Sequence, residues 1–294
     1  LIQVSGFRLY GIIIVLILIA DWNAAPACAQ NDSTEVDRAF HRLYNFDFTG
    51  AHSIIDAHIQ SNPDDPLGYS LRGAVFLFTE LHRLQILDID FFSDDDKVTD
   101  KKRLKPDPTA RLNIFSATAE ARRKAAAQLV QRPEDRTALF AQCMASGLEA
   151  EYSGLVEKKY LRSCSLAKEN QSHARRLLAL NPPFYDAYVT LGSTEYLVAN
   201  LNFIFRLFVR FENIKGNRQK AIENLKLAID QGRYYQPYAK ILLTVVYLRE
   251  KRVDDALTIM KELERDFPEN PLFKKEAALL AEKAATKKLP GKSR

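Results

Sequence analysis

The sequence predicts an all-α fold, a solenoid of antiparallel helix pairs. Three observations predict it. Apolar residues recur at helical spacing from Val36 onward, and the alternation of a strand is hardly visible. Prolines interrupt the helical stripes at Pro63, Pro133, Pro182 and Pro268, where a missing N–H and a fixed φ stop a helix. The intervals repeat: Pro63 to Pro133 is 70 residues and Ala221 to Ala256 is 35, close to the roughly 34 residues of a two-helix unit that buries its apolar stripe by stacking.

Composition agrees with a packed chain. Of 294 residues, 47% are hydrophobic and 27% charged, which excludes wholesale disorder. Eleven glycines and twelve prolines exclude collagen and low complexity, and three cysteines exclude a disulfide scaffold. The formal charge of +5 is small and spread along the chain, so no nucleic-acid partner is expected.

The first segment reads as an address. Arg8 precedes an almost wholly apolar run over residues 9–20, and Ala27-Cys28-Ala29 supplies the small residues of a cleavage site before Gln30. Residues 1–29 are therefore expected to be a secretory signal peptide, with an uncleaved anchor or acylation of Cys28 as competing readings. The run is shorter than the roughly 20 residues of a membrane span. Export, to the periplasm if the source is a diderm bacterium, follows from it.

Residues 30–285 carry the helical body. Ala51, Ile54, Ile55 and Ile59 form its first clear stripe. Residues 88–108 run acidic and then basic and read as a solvated insertion; calcium is the competing reading, though the glycine and closing glutamate of a calcium loop are missing. Residues 137–180 form a divergent unit, in which 153–180 without a break would make a helix of about 40 Å. Asn217 can cap the helix that carries Ala221, Ile222, Leu225, Ala228 and Ile229. Residues 240–248 are β-branched enough for a strand, but they lie between helical stripes and are read as helix. Val253, Ala256, Leu257, Met260, Leu263 and Phe267 form the last stripe. Residues 286–294 are read as a basic, frayed tail.

Specific residues resemble the tetratricopeptide repeat family. Arg249-Glu250-Lys251-Arg252-Val253-Asp254-Asp255-Ala256, with Pro268 twelve residues after the alanine, is similar to that family's inter-helix turn, and Tyr247 fits its aromatic site. Phe46-Asp47-Phe48-Thr49-Gly50-Ala51 followed by Pro63 repeats the pattern. Tyr188, Leu191 and Gly192 fit the aromatic-leucine-glycine signature; Tyr69, Gly73 and Phe76 fit it with Arg72 in place of leucine. The resemblance implies a right-handed superhelix in which Gly73 and Gly192 admit the second helix of each pair, with Ala51, Ala221 and Ala256 on its side. Residues 200–216 form a second insertion, where the family has a tight turn. A long aromatic insert there is also similar to the divergent eukaryotic tetratricopeptide proteins of the mitochondrial outer membrane and lipid droplets.

The resemblance implies a groove lined by the first helices: Ser70, Ala74 and Leu77; Phe140, Met144 and Gly147; Asp186, Tyr188, Val189, Ser193 and Tyr196; and Tyr238, Ile241, Val245 and Leu248. The clamp that family members use on a C-terminal carboxylate is absent at these positions, so the groove reads as apolar and aromatic, suited to an extended peptide or a partner helix. The competing reading is that these side chains pack neighbouring helices. Within the second insertion, Phe203, Phe205, Phe208 and Phe211 alternate with Arg206 and Arg210. They are read as core, as a partner-docking segment or as a segment lying in a membrane interface.

Chemistry-bearing motifs are missing from the sequence. It contains no Gly-rich phosphate loop, His-Glu-x-x-His or Cys-x-x-Cys, and its five histidines show no metal-ligand spacing. The expectation is a non-catalytic interaction scaffold of the cell envelope, without cofactor or metal, or alternatively a membrane- or lipid-associated factor. Cys143 and Cys164 lie ten residues before and eleven after Ser153. A hairpin turning at Ser153 would put them level and permit a disulfide; otherwise they are two free thiols.

Overall fold

The computed structural model describes residues 34–88, 104–200 and 215–288. The expected signal peptide, residues 201–211, most of the first insertion and the tail beyond Lys288 lie outside the described residues. The chain divides into the units Leu1–Thr34 and Glu35–Arg294, and every helix below belongs to the second.

Among the described residues the unit is all-helical. We number its helices α1 (Glu35–Tyr44), α2 (Phe48–Ser61), α3 (Pro66–Arg83), α4 (Pro108–Gln131), α5 (Arg136–Glu151), α6 (Tyr160–Leu178), α7 (Tyr188–Asn200), α8 (Arg218–Gln231), α9 (Gln236–Arg249), α10 (Val253–Asp266) and α11 (Pro271–Lys288). Each packs on its successor, and α1 on α3, α3 on α5 and α7 on α9 also touch. Residues 240–248 are helical, and α11 continues three residues past the expected start of the tail.

Local chemistry sets the helix ends. Asp47, Asp65, Asp107, Asp135 and Asn217 accept amides of the first turns of α2, α3, α4, α5 and α8, which removes orphan donors there. Pro66 and Pro108 stand in first turns, where no N–H is needed. Helices α1, α3 and α9 share a further device. Phe46, Gln85 and Lys251 take φ near +60°, and the next amide reaches back five residues: Asp47 to Arg42, Ile86 to Leu81 and Arg252 to Tyr247. This is the Schellman closure, built here without glycine.

The divergent unit differs from its expectation. A five-residue π-helical turn, Tyr152–Val156, follows α5, and Lys158 at φ 55° breaks the chain before α6 starts. The long uninterrupted helix expected over 153–180 is therefore absent. Arg122 of α4 ties the unit together by pairing with Glu149 of α5 and Glu169 of α6.

Both insertions are held at their feet by a buried glutamate. Glu80, 2% exposed, accepts the Asp107 amide at 2.9 Å and two bonds from Arg83. Glu195, 3% exposed, accepts the Asn217 amide at 3.0 Å and pairs with Lys220. Each ties the end of one helix to the start of the next across residues the sequence inserts.

Helices α7 and α8 meet closely at Gly192. A Cβ there would lie 2.8 Å from Leu225 Cγ and 3.1 Å from the Ala221 carbonyl oxygen. Gly192→Ala is expected to destabilise the fold by about 1–2 kcal/mol, overpacking outweighing the gain in helix propensity. At Gly73 the nearest atom is a Thr118 methyl at 3.2 Å, so Gly73→Ala should cost less. Urea denaturation of both variants checks the order.

The first described helix also meets the last ones. Asp37 pairs with Arg233 through two bonds, and the Tyr44 hydroxyl donates to the Tyr234 carbonyl at 3.0 Å. Asn270 donates to the Tyr44 carbonyl at 2.7 Å. In a plain stack of repeats each unit touches only its neighbours; here contacts join residues up to 226 positions apart.

Candidate functional site

The inner face was the expected docking surface, and the chain itself fills much of it. Phe140 is fully buried, with ring centres 4.8 Å from Phe184, 5.6 Å from Tyr234 and 5.1 Å from Tyr235. Phe40 of α1 stacks on Tyr234 at 5.0 Å from the other side. Met144, Val189, Ala74 and Leu77 are core residues, and buried Ser70 donates to the Ala141 carbonyl. These positions are therefore corrected from groove to core: the turn before α9 carries two tyrosines into the space a partner was expected to occupy.

The remaining inner positions are held to differing degrees. Tyr196 is buried and its hydroxyl donates to Glu250. Tyr188, Ser193, Tyr238, Ile241, Val245 and Leu248 are half-buried. The Tyr238 ring meets Tyr235 and Phe78, and its hydroxyl donates to Glu151 Oε1 at 2.5 Å. Burial pushes the Glu151 carboxyl up to about 7, against the lowering effect of that bond.

Asp186, expected in the groove, is buried and does structural work instead. Its Oδ1 accepts the amides of Arg233, Tyr234 and Tyr235 at 3.1, 2.7 and 2.6 Å. Three successive N–H groups converging on one carboxylate make an anion nest, and this one fixes the turn that carries the aromatic cluster.

Cys143 and Cys164 are free thiols. This is the free-thiol alternative: the level arrangement that would permit a disulfide does not form, because the hairpin turns later than Ser153. Asn170 stands beside Cys143 and donates to its carbonyl, and Ser163 donates to the Ala150 carbonyl. Cys164 is thus six residues out of register, about 9 Å along α6. Burial raises the Cys143 thiol to about 12, which makes it a poor nucleophile.

A second surface lies open where α2, α3 and α4 meet. It is a groove of about 440 Å³, within the range of sites that hold ligands. Tyr69, Arg72 and Phe76 form one wall at i, i+3 and i+7 of α3. Asn113, Ser116, Ala117 and Glu120 form the opposite wall on α4, with small side chains at its centre. Asp56 of α2 closes one side by pairing with Arg72 at 2.6 Å. The Tyr69 hydroxyl donates to the Pro63 carbonyl, and His52 lies against the Phe76 ring. The groove thus offers apolar ring surface between hydrogen-bonding rims. The signal the sequence offered is Arg72, which stands where the resemblance expects leucine; Tyr69 and Phe76 beside it are only partly buried against the core.

Among the described residues no group of three or more His, Cys, Asp or Glu could hold a metal ion, and no helix is long and apolar enough to cross a membrane. No protein-family model, curated protein or solved structure matches the chain. The tetratricopeptide likeness rests on the residues quoted above.

Proposed function

We propose that this chain is a non-catalytic scaffold, a tetratricopeptide-like solenoid of antiparallel helix pairs that holds an extended segment of a partner protein. The observation that carries the reading is the open groove between α3 and α4, with Tyr69, Arg72 and Phe76 facing Ser116 and Ala117. A partner's apolar side chain fits against the two rings, and its backbone can bond Arg72, Asn113 and Glu120 along the rims. The consecutive packing of the helices and the close approach at Gly192 support the solenoid. The leader-like residues 1–29 support an exported, envelope location. The alternative, a lipid-associated factor using residues 201–211, concerns residues outside those described.

Selection of peptides from a random display library on the full chain tests the reading. Ser116 is exposed, so Ser116→Trp fills the groove without entering the core. Selected peptides are expected to lose at least about tenfold in affinity for Ser116→Trp and for Arg72→Ala, as truncation or blocking of a central contact does. Unchanged affinity for both variants would move the binding site elsewhere.

A further inference from the structure

A different surface lies at the N-terminal ends of α4 and α6. Lys159, Tyr160, Leu161 and Arg162 are consecutive and all exposed, Leu161 at 84% and Tyr160 at 44%. Leu112, in the second turn of α4, is 63% exposed. Side-chain contacts join the two helix starts. Arg111 bonds Glu157 at 2.9 Å, and the Phe115 ring lies between the guanidinium groups of Arg111 and Arg162, at 4.7 and 4.9 Å. A single exposed leucine needs no explanation. Two leucines and a tyrosine set among cations on one edge form a pattern.

Among the described residues the charge balance at this edge is positive. Arg83, Lys105, Arg111, Lys159 and Arg162 stand against three carboxylates, Glu80, Asp107 and Glu157. Those three are already engaged, by Arg83, by the Thr109 amide and by Arg111 with Lys159. Arg162, over an aromatic face, presents its charge to solvent.

We infer that this edge rests on an anionic phospholipid surface, with Leu112, Tyr160 and Leu161 entering the headgroup layer and Arg111, Lys159 and Arg162 meeting phosphates. Tyrosine and leucine flanked by lysine and arginine is the composition of interfacial anchors, and apolar insertion and charge attraction add. The occupant is anionic because cations outnumber carboxylates among the described residues of this edge, five to three, and the single carboxylate of Glu157 is shared by Arg111 and Lys159. The inference does not draw on residues 201–211, and it stands whether or not a peptide binds the α3/α4 groove.

The full chain contains one tryptophan, Trp22, so a second one placed at the edge reports that position alone. The probe is Leu161→Trp in a Trp22→Phe background, added to phosphatidylcholine vesicles with or without phosphatidylglycerol, carrying brominated acyl chains. Emission is expected to shift blue and be quenched on the anionic vesicles and to stay unquenched on the neutral ones. Lys159→Glu with Arg162→Glu is expected to weaken binding about 25-fold or more, at about fivefold for each charge lost. Vesicle-bound chain with unquenched emission would overturn the inference, because the leader or another segment would then be the anchor. Absence of binding, or equal quenching on neutral vesicles, would overturn it too.

Discussion

Asp186→Ala is expected to lower the free energy of unfolding by about 3–5 kcal/mol. The substitution leaves three partly buried amides without an acceptor, and each such group left unsatisfied costs about 1–3 kcal/mol. Those of Arg233, Tyr234 and Tyr235 all point at Asp186 Oδ1, and the carboxylate is 3% exposed, so water cannot replace it without a rearrangement. The turn they belong to places Tyr234 and Tyr235 against Phe40 and Phe140. Loosening it loosens the contact between α1, α5 and α9 together. Asp186→Asn keeps an acceptor at Oδ1 and loses the charge and the Oδ2 bond to Arg233; its cost should be about 1 kcal/mol. Chemical denaturation of the three proteins measures the order. An alanine variant within about 1 kcal/mol of wild type would mean that the nest does not fix this turn.

The helices were legible in the sequence because their signals are local. Pro63, Pro133 and Asn217 act on the residues beside them, and the turns at 45–47 and 250–252 lie where the repeat resemblance put them. Gly192 against Ala221 was legible for a related reason, since both residues are small where two consecutive helices touch. The inner face was not legible. A helical stripe shows that Phe140 and Met144 face something apolar, but not whether that is a partner or the chain's own Tyr234 and Tyr235, about ninety positions away. The register of the α5–α6 hairpin was hidden by the π-helical turn, which postpones the reversal and separates Cys143 from Cys164. Glu80 and Glu195 carry no signal in the sequence, because nothing in their neighbours announces that each will clamp a helix start across an insertion.

The pH dependence of stability should carry the signature of Glu151. Its folded carboxyl titrates near 7, against the ordinary value of 4.5 expected in the unfolded chain. Between those values the folded state holds a proton that the unfolded state has released. The contribution is therefore fully present below about pH 4.5 and lost as pH rises through about 7, an effect of about 3 kcal/mol. Among the described residues no cation offsets this effect: the hydrogen-bond partner of Glu151 is Tyr238, and Tyr44, Tyr235 and Asp186 share the same region. Other groups act in the same window with the opposite sign. His52 and His173 are held below the ordinary histidine value, mainly by burial, so their contribution is lost as pH falls. Wild-type stability alone therefore mixes the two, and Glu151→Gln separates them. The amide keeps the bond to Tyr238 and cannot ionise. The variant is expected to gain on wild type between pH 5 and pH 8 by about 3 kcal/mol, or about 6–12 °C in melting temperature for a unit of this size. Parallel profiles for the two proteins would show that Glu151 ionises as freely in the fold as outside it.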